Sequence, residues 1–207
     1  MLEVFFGLVS VVALIFIFTI HNYIKSYVAY LLGDDTPKRL GFLTLNPIPH
    51  IDIFGSIILP MIFILLKSPL IIGWPKLVPI DYNRFKNPRK AAFVLTTISI
   101  FTYFFVAFLG LLMYKLLVSV PVKETIFIPL ASLFQYITMI STFIGFINLF
   151  PIPPLDMGII LLLLLGKDIR EAESYFLMGS ILILFLFISG FFGLIFQPIY
   201  GFLVKLF

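Results

Sequence analysis

The sequence predicts an all-α polytopic membrane protein with about 4–6 membrane segments, among them a re-entrant hairpin, and a short β-strand region on the cytoplasmic side. Three observations predict this class. Of 207 residues, 61% are hydrophobic and only 12% charged, where soluble domains run near half and a quarter. Mean hydropathy is +1.17, and 26 residues are Phe. Apolar runs long enough to cross a bilayer alternate with short polar segments. Soluble enzymes, nucleic-acid binders and disordered chains are excluded, because too few polar residues exist to cover so apolar an interior. The lipid bilayer is the expected partner, and nucleic acid is not one.

The elements follow in order. Val4–Ile20 is nearly all apolar and continues past His21 toward Tyr30, more than the ~20 residues a spanning helix needs. It lacks a basic leader and a small-residue cleavage site, so it reads as a retained span. Gly33-Asp34-Asp35-Thr36-Pro37 ends it as a loop. Phe42-Leu43-Thr44-Leu45 has strand chemistry, stopped by Pro47 and Pro49. Ile53–Ile72 is apolar but holds Pro60, Lys67 and Pro69, which breaks a helical ladder at depth. Basic residues stand on both sides of it: Lys25, Lys38 and Arg39 before, Lys76, Arg84, Lys86, Arg89 and Lys90 after. Cytoplasmic flanks collect such charges, so this run is expected to enter and leave on one face. The cluster from Arg84 to Lys90 reads as a flank against anionic headgroups.

Ala91–Val120 predicts a tilted span, with Lys115 snorkelling near its end. Pro121–Thr125 is a short loop on the far side. Ile126–Phe150 predicts the next span, interrupted at Pro151-Ile152-Pro153-Pro154. Gly158–Leu165 resumes as a short apolar piece, and Lys167–Glu173 is a polar turn. Residues 174–207 are apolar, softened at Ser189-Gly190 and Pro198, which predicts one span plus an interfacial helix or two short spans. The whole reads as a single membrane-embedded domain, 1–207, with no internal repeat.

Chemistry is confined to a few polar residues in apolar surroundings, where ionisable groups are expensive and need a reason. No Cys is present and the only His are His21 and His50, which limits any metal site. Three stretches stand out: His21-Asn22-Tyr23-Ile24-Lys25, Asn46-Pro47-Ile48-Pro49-His50-Ile51-Asp52, and Asn148 through Asp156. Read alone, His21 is a helix-end imidazole, Asp156 a helix cap after a proline run, and Trp74 an interface anchor.

An ordered series of landmarks resembles the site-2 protease family of intramembrane zinc metalloproteases. It runs from the apolar helix ending at His21 through Leu32-Gly33-Asp34, Thr44-Leu45-Asn46-Pro47, His50-Ile51-Asp52, Gly73-Trp74-Pro75-Lys76, Val78-Pro79 and Asn87-Pro88-Arg89 to Asn148–Asp156. It covers about residues 4–166, with C-terminal helices in 174–207 beyond it. The resemblance implies two His at i and i+4 of a helix ligating zinc, a Glu between them as general base, and a distant Asp as third ligand. His21 and Asp156 match ligand positions. Asn22 stands at the general-base position and Lys25 at the second His. An amide cannot accept the proton, and an ammonium stands where a dication would sit. Ile98-Ser99-Ile100-Phe101-Thr102-Tyr103 replaces a small-residue stretch expected near the site, and Met157 replaces a Gly. Asn148 matches a position near substrate or oxyanion. His50, Asp52, Trp74 and Lys76 fall on the substrate or partner cleft, and the Trp74 strand is expected to offer an edge to an unwound peptide.

These substitutions predict a catalytically inactive homologue without catalytic zinc, which binds or regulates a transmembrane helix or an active family relative. Lys25 and Asp156 are expected to pair in place of the metal, with His21 hydrogen-bonded nearby. Two alternatives stay open: an active zinc metalloprotease with an altered site, and a small transporter using Lys25, Asp156 and His21 as a proton relay. The expected location is a prokaryotic cell membrane with the site region facing the cytoplasm.

Overall fold

The computed structural model describes residues 2–66, 71, 73–121, 123–169 and 174–207. Helix α1 (Leu2–Leu32) is 31 residues long, about 46 Å at 1.5 Å per residue, so it exceeds the hydrocarbon thickness. One stripe of it, Ala13, Leu14, Ile17 and Phe18, is buried against Tyr103, Val106 and Ile137. The opposite stripe, with Leu8, Val12 and Phe16, is exposed, as a lipid-facing surface should be. Its end is clipped to the segment that leads into the second span. Asp34 is fully buried and its carboxylate accepts the Thr36 and Asp81 amides, both at 2.9 Å. Arg84 joins the clip through Asp35 at 2.6 Å. A four-residue helix, α2 (Thr36–Arg39), follows.

Between α1 and the next long helix the chain makes turns and a dipping limb. Among the described residues there is no strand, which corrects the expected β region. The stretch from Phe42 to Leu45 bends because Thr44 and Asn46 side chains accept the Asn46 and Ile48 amides, each at 3.1 Å, competing with extended backbone. Gly73–Lys76 is extended but pairs with helical turns: Trp74 N–H donates to Gly55 C=O at 3.2 Å, and Lys76 N–H to His50 C=O at 2.9 Å. A wide turn at Ile53–Ile58, capped by Asp52, leads into α3 (Leu59–Leu65). Pro60 lies in the first turn of α3, where its missing N–H is harmless, so it opens this helix rather than breaking it. The far end of α3 reaches the start of α1, since a Cβ on Gly7 would come within 2.8 Å of the Ile64 side chain. The Trp74–Gly55 bond brings residue 74 back beside the start of the limb. The expected breakers Lys67 and Pro69 lie outside the described residues.

Helices α4 (Pro88–Val118) and α5 (Glu124–Ile147) pack on each other and on α1. Gly110 permits close approach, because a Cβ there would sit 2.7 Å from Thr138 Oγ1. After α5 the chain breaks at Asn148–Leu155 and restarts as α6 (Asp156–Leu164) on the flank of α4. Of the expected turn Lys167–Glu173, residues 170–173 lie outside the described residues. Helices α7 (Phe176–Ile188) and α8 (Phe191–Val204) are bent by 65° at Ser189-Gly190, with Gly190 at φ +77, a backbone that favours Gly. Among the described residues, three helices are long and apolar enough to cross a membrane, or four if α7 and α8 count as one broken span. The protein is an integral membrane protein.

Candidate functional site

His21 and Lys25 lie four residues apart on α1 and so share a face, while Asp156 opens α6 across from them. Asn148 makes this restart possible. Its Nδ2 donates to Ile144 C=O at 2.9 Å, its Oδ1 accepts the Asp156 amide at 3.3 Å, and its backbone C=O accepts the Met157 amide at 3.0 Å. One side chain thus bridges the end of α5 and the start of α6, occupying backbone groups that a broken helix leaves unpaired. Asp156 is the first residue within α6, not its cap, which is Leu155. Its carboxylate is buried and turned toward α1.

Lys25 Nζ approaches Asp156 Oδ1 at 3.9 Å, a charge contact too long to be a hydrogen bond. The Lys25 side chain is 21% exposed and that of Asp156 10%, so the pair sits in a partly dry environment where each charge needs the other. Ser99 of α4 interacts with the Asp156 carboxylate and also meets His21 Nε2 at 2.6 Å. His21 Nδ1 lies 3.1 Å from Asn22 Oδ1, and Asn22 Nδ2 donates to Lys76 C=O at 2.7 Å. This last bond fixes the Asn22 amide orientation, so its oxygen faces His21 Nδ1. The His21 ring also stacks on Tyr103, centroids 4.4 Å apart and planes 12° from parallel. Both ring nitrogens and one ring face are therefore engaged. Polar contacts run from Lys25 through Asp156, Ser99, His21 and Asn22 to the extended segment at Lys76.

The expected cleft residues gather beside this chain of contacts. His50 is fully buried; its Nε2 donates to Thr44 C=O at 2.8 Å, and Nδ1 has no hydrogen-bond partner among the described residues. Burial pushes this imidazole below its usual pKa, with the Thr44 bond opposing. Asp52 accepts the Gly55 amide at 2.6 Å and so begins the dipping limb. Trp74 lies over Gly55, where a Cβ would meet its ring at 2.3 Å, and its C=O accepts from Ser56 Oγ at 2.8 Å. Lys76 enters the network through its backbone, while its ammonium lies 5.9 Å from the Phe42 ring centroid.

Two residues escaped the sequence reading. Ser99 and Tyr103 were grouped with a lost small-residue stretch, yet they are the α4 residues that hold His21. Their signal was spacing: Thr96, Ser99 and Tyr103 recur at three and four residues in a span and are all buried, one face of a helix.

A zinc site needs three protein donors besides a water. Among the described residues no three His, Cys, Asp or Glu side chains come together to hold a metal. His21 and Asp156 remain from the expected set, and Lys25 stands at the third ligand position.

The comparisons agree with the landmarks. Residues 2–188 match the family described as Peptidase family M50. The Bacillus subtilis (strain 168) protein YwhC, provisionally named a zinc metalloprotease, is 34% identical over 185 residues, covering 86% of this chain and 80% of its own. No solved structure gives a significant match. The family match extends over α1 through α7 and therefore includes every element that carries the network. This chain belongs to peptidase family M50, the site-2 protease family.

Proposed function

We propose that this protein is a non-catalytic member of its family, which uses the old active-site cleft to bind a transmembrane helix or to regulate an active relative. The observation that carries the reading is the Asn22 amide. It donates to Lys76 C=O at 2.7 Å, a role that a carboxylate general base cannot perform because it has no hydrogen to give. The position that would activate water instead ties an extended segment across the cleft. Lys25 at 3.9 Å from Asp156 supports the same reading, since an ammonium neutralises the carboxylate that would otherwise face a metal. The donor set does not fit zinc. The basic residues Lys38, Arg39 and Arg84–Lys90 stand at the end of α1 and the start of α4, which the Asp34 clip joins, and this supports a cytoplasmic orientation for the site region.

The rival reading, an active enzyme, draws on the name that YwhC carries. Metal analysis of the detergent-purified protein, paired with a cleavage assay on a transmembrane peptide, separates the two. Expected are no stoichiometric zinc and no cleavage for the natural sequence, with Asn22→Glu/Lys25→His as positive control. Bound zinc together with peptide cleavage by the unaltered protein overturns the proposal.

A further inference from the structure

The first turn of α4 and the last turn of α6 meet at the end of α6 opposite Asp156. Asn87 begins α4 by accepting the Lys90 amide at 3.0 Å. Arg89 Nη2 donates to Leu163 C=O, one of the terminal carbonyls that a helix end leaves open. Beside this bond lies a cavity of about 260 Å³, lined by Asn87, Arg89, Lys90, Phe93, Leu163 and Leu164. A smaller one, about 150 Å³, opens on the other side of Arg89, with Lys167 and Asp168 at its rim.

The cleft is divided by chemistry. Arg89 and Lys90 line the larger cavity, and Lys167 with Asp168 the smaller. The floor of the larger is apolar, and two of its apolar residues face outward: Phe93 is 43% exposed and Leu164 67%. Because α4 is a candidate span beginning at Pro88, the cations sit at headgroup depth and the Phe93–Leu164 floor just inside the hydrocarbon. Arg89 has five guanidinium donors, and the Leu163 bond engages one nitrogen only. The remainder can grip a phosphate in forked geometry.

We propose that this cleft is the seat of one anionic phospholipid. Its phosphate lies between Arg89 and Lys90, and the start of an acyl chain runs along Phe93, Leu163 and Leu164. A zwitterionic lipid is the poorer occupant, since its ammonium would meet Arg89 and Lys90. The inference rests on the packing of α4 against α6 and is independent of whether the family chemistry survives.

Native mass spectrometry of the full chain, titrated with phosphatidylglycerol or phosphatidylcholine, tests it. Expected is preferential retention of one phosphatidylglycerol. Lys90→Gln lowers that preference by about fivefold, the equivalent of the ~1 kcal/mol a basic residue contributes at an anionic surface. This variant keeps the Arg89–Leu163 bond, so an unchanged melting midpoint shows that the fold is intact. Lys123→Gln, at the cap that begins α5, leaves the preference as it was. Equal retention of both lipids, an unaltered preference in Lys90→Gln, or equally effective competition by soluble glycerol phosphate overturns the proposal.

Discussion

The α1–α4–α5 bundle and the α7–α8 pair solve the same problem, packing helices in lipid, with opposite materials. The bundle buries Ser10, Thr19, Thr96, Ser99, Thr102, Thr138 and Ser141, with Gly110 set against Thr138. The α7–α8 pair buries Phe192, Phe196 and Leu203 in a cluster with Ile147 and rings of α5, and it exposes most other apolar side chains to lipid. Between helices in lipid there is little hydrophobic drive, so close contact and polar bonds must supply the association. Small polar residues let backbones approach, and the bundle consequently forms a rigid frame for the Lys25–Asp156 network. Aromatic rings fill space between more distant helices and interact through offset and edge contacts, such as Phe143 with Phe196 at 4.3 Å. Where a site needs fixed geometry, the polar frame carries it.

That contrast ranks the response to substitution. Lys25→Met leaves the Asp156 carboxylate unpaired and is expected to destabilise by about 3 kcal/mol, measured by reversible unfolding in mixed micelles; Lys25→Met/Asp156→Leu should recover most of the loss. Phe192→Ala is expected to cost about 1–2 kcal/mol, below the range for water-soluble cores, because lipid tails solvate the vacated surface nearly as well as the ring did. A larger loss from Phe192→Ala than from Lys25→Met would break the comparison. Ser99→Ala removes a hydroxyl from His21 and is expected to cost about 1 kcal/mol by the same measurement. The smallest effect sharpens the comparison through pH. His50 has a folded pKa below its unfolded value near 6.5, so the neutral ring is favoured in the fold. Its contribution is full above that pH and is lost as pH falls toward the folded value. Melting midpoints taken from about pH 7 down to about pH 5 should fall in the natural protein and fall less in His50→Gln, which keeps a donor for Thr44.

How much of this was legible in the sequence follows from the kind of signal each element carries. The long helices were legible because hydropathy acts over some twenty residues: Ala91–Val120 was expected and Pro88–Val118 observed, the difference being the Asn87 cap and Pro88 start. The broken helix was legible from Pro151 to Pro154. The strand was not, because strand chemistry at Phe42–Leu45 and a family resemblance at Gly73–Lys76 say nothing about the partners of the latter segment. Those partners are carbonyls of helical turns and the Asn22 and Ser56 side chains, brought there by tertiary packing. Ser99 was hidden for a related reason, since its meaning depends on which face of α4 meets α1.

The 2.7 Å bond from Asn22 to the Lys76 carbonyl limits which side chains position 22 accepts. Putting Glu back at position 22 by itself would set a carboxylate against that carbonyl, two acceptors with no hydrogen between them, and loosen the strap before any activity returned. Asn22 and the Lys76 carbonyl are matched as donor and acceptor, so a change at position 22 must be answered at the segment it ties.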